Sequence, residues 1–149
     1  MKTKKRGFTL VEILIVVIIL GILAAIVIPQ FTNASTQAKN NSVASTLQTI
    51  RSQIELFKIQ HNDTPPQTDG MADFANMLTK SDTTETNVAA PTGTSFGPYL
   101  QQEPLNPVMG KTGTSTAATD TTAGWYYSAT PTAYTVYPRD ANGASLTTY

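Results

Sequence analysis

The chain has 149 residues, enough for one modest domain with a buried core and too few to support two. It has no cysteine and a single histidine, His61, which excludes disulfides and thiolate metal sites and leaves zinc and haem chemistry poorly supplied with ligands. Ten basic and ten acidic residues balance, but Lys2, Lys4, Lys5 and Arg6 crowd into the first six positions; without that head six bases face ten acids, a formal −4, and no basic face for nucleic acid is expected.

From Phe8 to Ile28 every residue but Thr9, Glu12 and Gly21 is apolar. As a helix this stretch reaches about 31 Å, enough to cross the hydrocarbon of a bilayer. Four bases precede it and none follows until Lys39, a bias that predicts a cytoplasmic N-terminus. A cleaved secretory signal has the same outline. Against it, the run is longer than a usual signal core, carries Glu12, and ends in Ile26-Val27-Ile28-Pro29-Gln30-Phe31 without a small-x-small site.

Beyond Pro29 the pattern turns amphipathic. Val43, Leu47, Ile50, Ile54 and Phe57 alternate spacings of four and three and predict one apolar stripe, which Ala34 and Ala38 extend upstream. Arg51, Glu55 and Lys58 fall on the solvated side. The stripe is expected to pack on a sheet rather than to form a coiled-coil seam. The helix should end near His61, because Asn62, Asp63, Thr64, Pro65 and Pro66 break it; His61 itself is expected to be solvated or to cap that end.

A short amphipathic segment capped by Thr68 or Asp69 should follow, with Phe74, Met77 and Leu78 on one side. Ser81 to Ser95 reads as polar loop, and the three prolines between Phe96 and Gly110 predict an extended loop laid over the core. Thr112 to Gly124, rich in Thr, Ala and Ser, reads as a mobile connection. Trp125 to Ser128 and Tyr134 to Tyr137 predict two strands around a turn at Thr130 and Pro131, with a last turn at Asn142-Gly143. The aromatic residues of these runs are expected to pack a small sheet rather than to bind a ligand. The fold class is therefore α+β: one long helix from about Phe8 to about His61, its second half packed on a small antiparallel sheet.

A carboxylate inside an apolar span is costly without a partner, so Glu12 demands one. Gly21 and Ala25 form a small-xxx-small pair that permits close helix approach. Pro29 has no N–H to offer Ala25, which makes the backbone from Gly21 to Pro29 the expected place for the helix to loosen. No nucleophile–base–orienter set, phosphate loop or metal cluster occurs, so no enzyme is expected.

The head Lys4-Lys5-Arg6-Gly7-Phe8-Thr9-Leu10-Val11-Glu12, with the apolar run behind it, resembles the class III signal of type IV prepilins and pseudopilins. The resemblance implies cleavage of the Gly7–Phe8 bond by a membrane aspartyl prepilin peptidase and N-methylation of Phe8. Cleavage would give Glu12 its partner, the freed amine of Phe8 on a neighbouring subunit, through which subunits would assemble; the resemblance makes Pro29 the helix-perturbing proline, and Gly21 begins the stretch already expected to loosen. Residues 1–7 would then be a leader, 8–29 a transmembrane and polymerisation helix, and 30–149 a soluble periplasmic domain. Phe96-Gly97-Pro98-Tyr99-Leu100, Pro104, Asn106-Pro107, Gly110 and Gly124-Trp125-Tyr126-Tyr127 are similar to the loop and strands of major pseudopilins of type II secretion systems. The implied function is a self-polymerising subunit of a periplasmic pseudopilus, working with an inner-membrane assembly platform and minor pseudopilins. A type IV pilin of a surface pilus, serving adhesion, motility or DNA uptake, is the alternative. Major pseudopilins also resemble one another in a calcium-binding C-terminal loop. Here Asp140 and Asn142 are the candidates to consider, and one carboxylate falls short of the roughly six to eight oxygens that calcium takes, so no metal is expected.

Overall fold

The computed structural model describes residues 7–66, 78, 96–130 and 132–147. The basic head from Lys2 to Arg6, the expected Thr68 or Asp69 cap with Phe74 and Met77, the loop from Ser81 to Ser95 and Pro131 lie outside the described residues. The chain divides into two compact units, Met1–Ala38 and Lys39–Tyr149.

Helix α1 spans Leu10–Gln60 and contributes to both units. In the first unit it passes Gly21 and Pro29 without a break. Several hydroxyls fold back onto the carbonyl four residues earlier, Thr32 onto Ile28 at 3.1 Å and Thr36 onto Thr32 at 3.0 Å, which keeps these polar residues inside a helix without exposing a competing donor. The end of α1 is set by Asn62 and Asp63, both in the left-handed region (φ 52° and 63°). The Asp63 amide reaches back to the Lys58 carbonyl at 2.8 Å, a Schellman-type closure. The Lys58 ammonium lies 3.3 Å from the Asp63 carboxylate and 3.5 Å from that of Glu55, a favourable charge for a helix C-terminus.

In the second unit the stripe Val43, Leu47, Ile50, Ile54 and Phe57 is buried in full and forms one core with Leu78, Tyr99, Trp125, Tyr127 and Val136. Ala34 and Ala38 are exposed, so the buried stripe begins at Val43 and not upstream. His61 is buried rather than solvated. Its ring stacks on Phe57 at 3.8 Å and its Nδ1 lies 2.8 Å from the Phe57 carbonyl, so it caps the helix from inside the core.

Among the described residues the sheet has three strands in the order β1-β2-β3: Thr114–Ser115, Trp125–Thr130 and Ala133–Pro138. β2 and β3 pair antiparallel from Trp125↔Pro138 to Thr130↔Ala133. Their alternation turns Trp125, Tyr127 and Val136 into the core, and Tyr126 and Tyr137 stack on the other face. β1 pairs parallel with β2, so the sheet is mixed and not purely antiparallel. It also means that the Thr112 to Gly124 connection is built into the fold: the Gly124 amide bonds to the Thr112 carbonyl, that of Trp125 to Gly113, and Thr119 bridges to Ala144. Only glycine fits at 124, because a Cβ there would run into the Lys111 carbonyl.

The proline-rich loop is laid over the core as expected, with Phe96, Leu100 and Val108 packed against it. One buried side chain ties it to the sheet. Asn106 donates through Nδ2 to the Gly124 carbonyl (2.7 Å) and the Arg139 carbonyl (2.9 Å), and its Oδ1 accepts the Val108 amide at 2.9 Å. The Trp125 indole anchors a second point by donating to the Pro104 carbonyl at 2.8 Å.

Asn106→Ala removes these bonds; the Gly124 carbonyl keeps the Arg139 amide and the Val108 amide is only half-buried, but the Arg139 carbonyl loses its side-chain donor in the interior. At about 1–3 kcal/mol for a buried group left unpaired, the variant should lose roughly that much stability. Thermal melts followed through Trp125 fluorescence should show a large downward shift, and a melt within a degree or two of the parent would remove Asn106 from this role.

Candidate functional site

The chemistry singled out in the sequence lies in the first unit. From Leu10 onward helical periodicity places the apolar residues all round α1 rather than on one side. Every large apolar side chain from Phe8 to Phe31 is at least 50% exposed. Soluble monomers seldom expose contiguous apolar surface beyond a few hundred Å², so this surface is made to be covered. The helix is long and apolar enough to cross a membrane.

At its start sits the one carboxylate of the span. Thr9 precedes the first helical residue and Glu12 follows three positions later. The Thr9 amide and the Thr9 hydroxyl both donate to Glu12 Oε2, each at 2.8 Å, and the Glu12 amide donates back to Thr9 Oγ1 at 3.3 Å. This is a reciprocal capping box. It satisfies two of the amide donors that a helix N-terminus leaves open, and it orients a carboxylate where the helix dipole favours negative charge. Both Thr9 donors fall on Oε2, which leaves Oε1 as an acceptor for a further donor.

The structure thus brings Phe8, Thr9 and Glu12 together within one turn and places Gly7 just ahead of them in non-helical backbone. Gly21 and Pro29 lie further along the same helix, and a Cβ at Gly21 would meet nothing within 4 Å. Thr9 is the residue that sequence reasoning passed over. Its signal was present, since Thr9-Leu10-Val11-Glu12 is itself the T-x-x-E pattern of a capping box.

In the second unit the tail forms a compact turn. Asp140 Oδ1 accepts the amides of Asn142 and Ala144, both at 2.9 Å, and the Gly143 amide bonds to the Asp140 carbonyl. Gly143 adopts φ 79°, and a Cβ there would strike the Asp120 carbonyl, so the last turn read at Asn142-Gly143 needs its glycine. Asp120 accepts the amide and hydroxyl of Thr122 at 2.7 and 2.6 Å. The hydroxyls of Thr122 and Ser115, with the Thr122 amide, hold its carboxyl well below the usual carboxylate range. Among the described residues no three His, Cys, Asp or Glu side chains gather as a metal-binding group.

Comparison with known proteins bears on the same region. Residues 2–28 match a family model described as the prokaryotic N-terminal methylation motif. The type II secretion system core protein G of Aeromonas hydrophila is 29% identical over 108 residues, 71% of this chain and 69% of that protein. The protein of the same description from Pseudomonas aeruginosa is 36% identical over 70 residues, 47% of this chain and 49% of its own. A type IV narrow pilus major component of Thermus thermophilus is 37% identical over 62 residues, 42% of this chain and 53% of its own. The chain therefore spans about half the length of the latter two. No solved structure gives a significant match. The motif and these likenesses support a major pseudopilin of the type IV pilin-like family.

Proposed function

We infer that this chain is a type IV pilin-like major pseudopilin, a structural subunit of the pseudopilus of a type II secretion system. The observation that carries the reading is the exposed apolar surface from Phe8 to Phe31 with a single oriented carboxylate at its head, inside a methylation motif. While the subunit is stored, lipid covers that surface; in the fibre, the same helices of neighbouring subunits cover it.

The head supplies the switch between the two. Hydrolysis of the Gly7–Phe8 amide by a prepilin peptidase would detach the basic leader, residues 1–7, as a carboxylate and leave Phe8 with a protonated amine. N-methylation of that amine keeps its positive charge. The Phe8 ammonium of one subunit would then donate to Glu12 of a neighbour, and Oε1 has the capacity to accept it without breaking the Thr9 cap. A charge pair in an apolar bundle tolerates little misplacement, so it sets the axial register of the fibre. Gly21 and Pro29 give the helix its freedom to adjust as subunits pack. The basic head before the span and the lack of Lys or Arg from Pro29 to Ala38 after it favour a cytoplasmic N-terminus and a periplasmic domain from residue 30 onward. Growth of the fibre from an inner-membrane platform, with minor pseudopilins, completes the proposed role. The Thermus relative supports a second reading, a pilin of a surface pilus, which shares the head and differs in what the fibre carries.

Intact mass of the membrane-extracted protein should show loss of residues 1–7 and gain of one methyl group. A chain starting at Met1 in cells with active peptidase, or near Gln30, would contradict the processing step. Glu12→Leu should insert and be processed like the parent, yet fail to form normal fibres. Fibres of parental yield that still support secretion would take the assembly role away from Glu12.

A further inference from the structure

Arg139 follows β3 directly, and the methylation-motif reading makes no use of it. Its side chain is fully buried, one of the largest in the chain to be so. Nη1 donates to the carbonyls of Gly143 (2.5 Å) and Ala118 (3.5 Å), and Nη2 to those of Ser115 (3.0 Å) and Ala117 (2.7 Å). Four carbonyl oxygens from two separate segments therefore converge on one cation. One segment is the return loop between the parallel neighbours β1 and β2; the other is the last turn of the tail. The Tyr126 ring lies beneath the guanidinium at 5.7 Å. Nε has no partner among the described residues. Burial pulls the guanidinium below its ordinary value, and Asp120 and then Tyr126 oppose that effect. An arginine remains charged through any such shift in the physiological range.

Carbonyl oxygens aimed at one point repel one another unless something positive stands there. A calcium ion would meet that need only with about six to eight oxygens, several of them carboxylate. Here the guanidinium fills the position, and among the described residues the region offers two carboxylates, each with Oδ1 already accepting from its own turn: Asp140 from Asn142 and Ala144, Asp120 from Thr122. The residues present do not fit a calcium site.

We propose that Arg139 supplies, from within the chain, the cation around which the return loop and the C-terminal tail close, so that the tail of this pseudopilin folds without a bound metal. A planar fork with four donors in use suits four carbonyls better than a point charge does, which distinguishes the site from one that any cation fills. The proposal extends the reading above and stands independently of it, because it concerns the stability of the second unit and not assembly.

The test uses the full chain in detergent, with the single Trp125 as the reporter of unfolding. The parent should melt at the same temperature in a calcium chelator and in millimolar Ca²⁺. Arg139→Ala should melt many degrees lower, and guanidinium ion added well below denaturing concentration should raise that melt while leaving the parent unmoved, by mass action on the native state. Arg139→Lys, which keeps charge but loses the fork, should fall between parent and Arg139→Ala. A parent that loses stability in chelator and regains it with Ca²⁺ overturns the proposal, and so does an Arg139→Ala chain that melts like the parent. If Arg139→Ala does not fold at all, the chelator response of the parent and the intermediate melt of Arg139→Lys decide the matter.

Discussion

An apolar helical surface that carries one carboxylate has to solve two problems with the same contact. The side chains from Phe8 to Phe31 need a dry neighbour on every side, and Glu12 needs a cation in a place where water is scarce. Within one subunit the second need is met in part, because the Thr9 amide and hydroxyl both donate to Oε2. That arrangement makes the carboxylate tolerable at a membrane surface and leaves one oxygen ready. In the proposed fibre the remaining oxygen takes the amine that proteolysis creates, so covering the surface and neutralising the charge become one event.

The second unit answers a different constraint. A three-stranded sheet with a two-residue edge strand has little area of its own, and the single helix stripe covers one face of it. Chain without hydrophobic pattern must then be held by polar groups. Asn106 ties the proline-rich loop to Gly124 and Arg139, and Arg139 ties the return loop to the tail. A chain with no cysteine has no disulfide to do this work. Buried polar side chains hydrogen-bonded to backbone carbonyls replace it.

Periodicity made the helix legible. Its limits, expected near Phe8 and His61, are Leu10 and Gln60, and all five stripe residues from Val43 to Phe57 are buried. Trp125 to Ser128 and Tyr134 to Tyr137 were readable as strands from their aromatic and β-branched content, and each gains two residues in the structure. β1 was not readable. Thr114–Ser115 lies in a Thr/Ala/Ser run with no alternation, and it is strand because it pairs with Trp125 and Tyr126 and Arg139 donates to the Ser115 carbonyl. His61 was expected to be solvated or to cap the helix end; it caps, but from a buried position, because its ring stacks on Phe57 and Nδ1 lies against the Phe57 carbonyl. Ala34 and Ala38 continue the stripe in sequence, but in a single chain nothing covers them. Of the candidate site, Gly7, Phe8 and Glu12 stood out through their neighbours in sequence. Thr9 did not, because the processing signal drew attention away from the capping pattern that overlaps it.

The central claim is that Phe8 of one subunit pairs with Glu12 of another. It can be read directly by magnetic-resonance distance measurement on fibres grown from a mixture of two subunit pools, one with ¹⁵N in phenylalanine and the other with ¹³C at the glutamate carboxyl. The account predicts a contact between the Phe8 amine nitrogen and the Glu12 carboxyl carbon of the other pool at about 4 Å or less, the reach of a charge-assisted hydrogen bond. Well-formed mixed fibres with no such contact would contradict it.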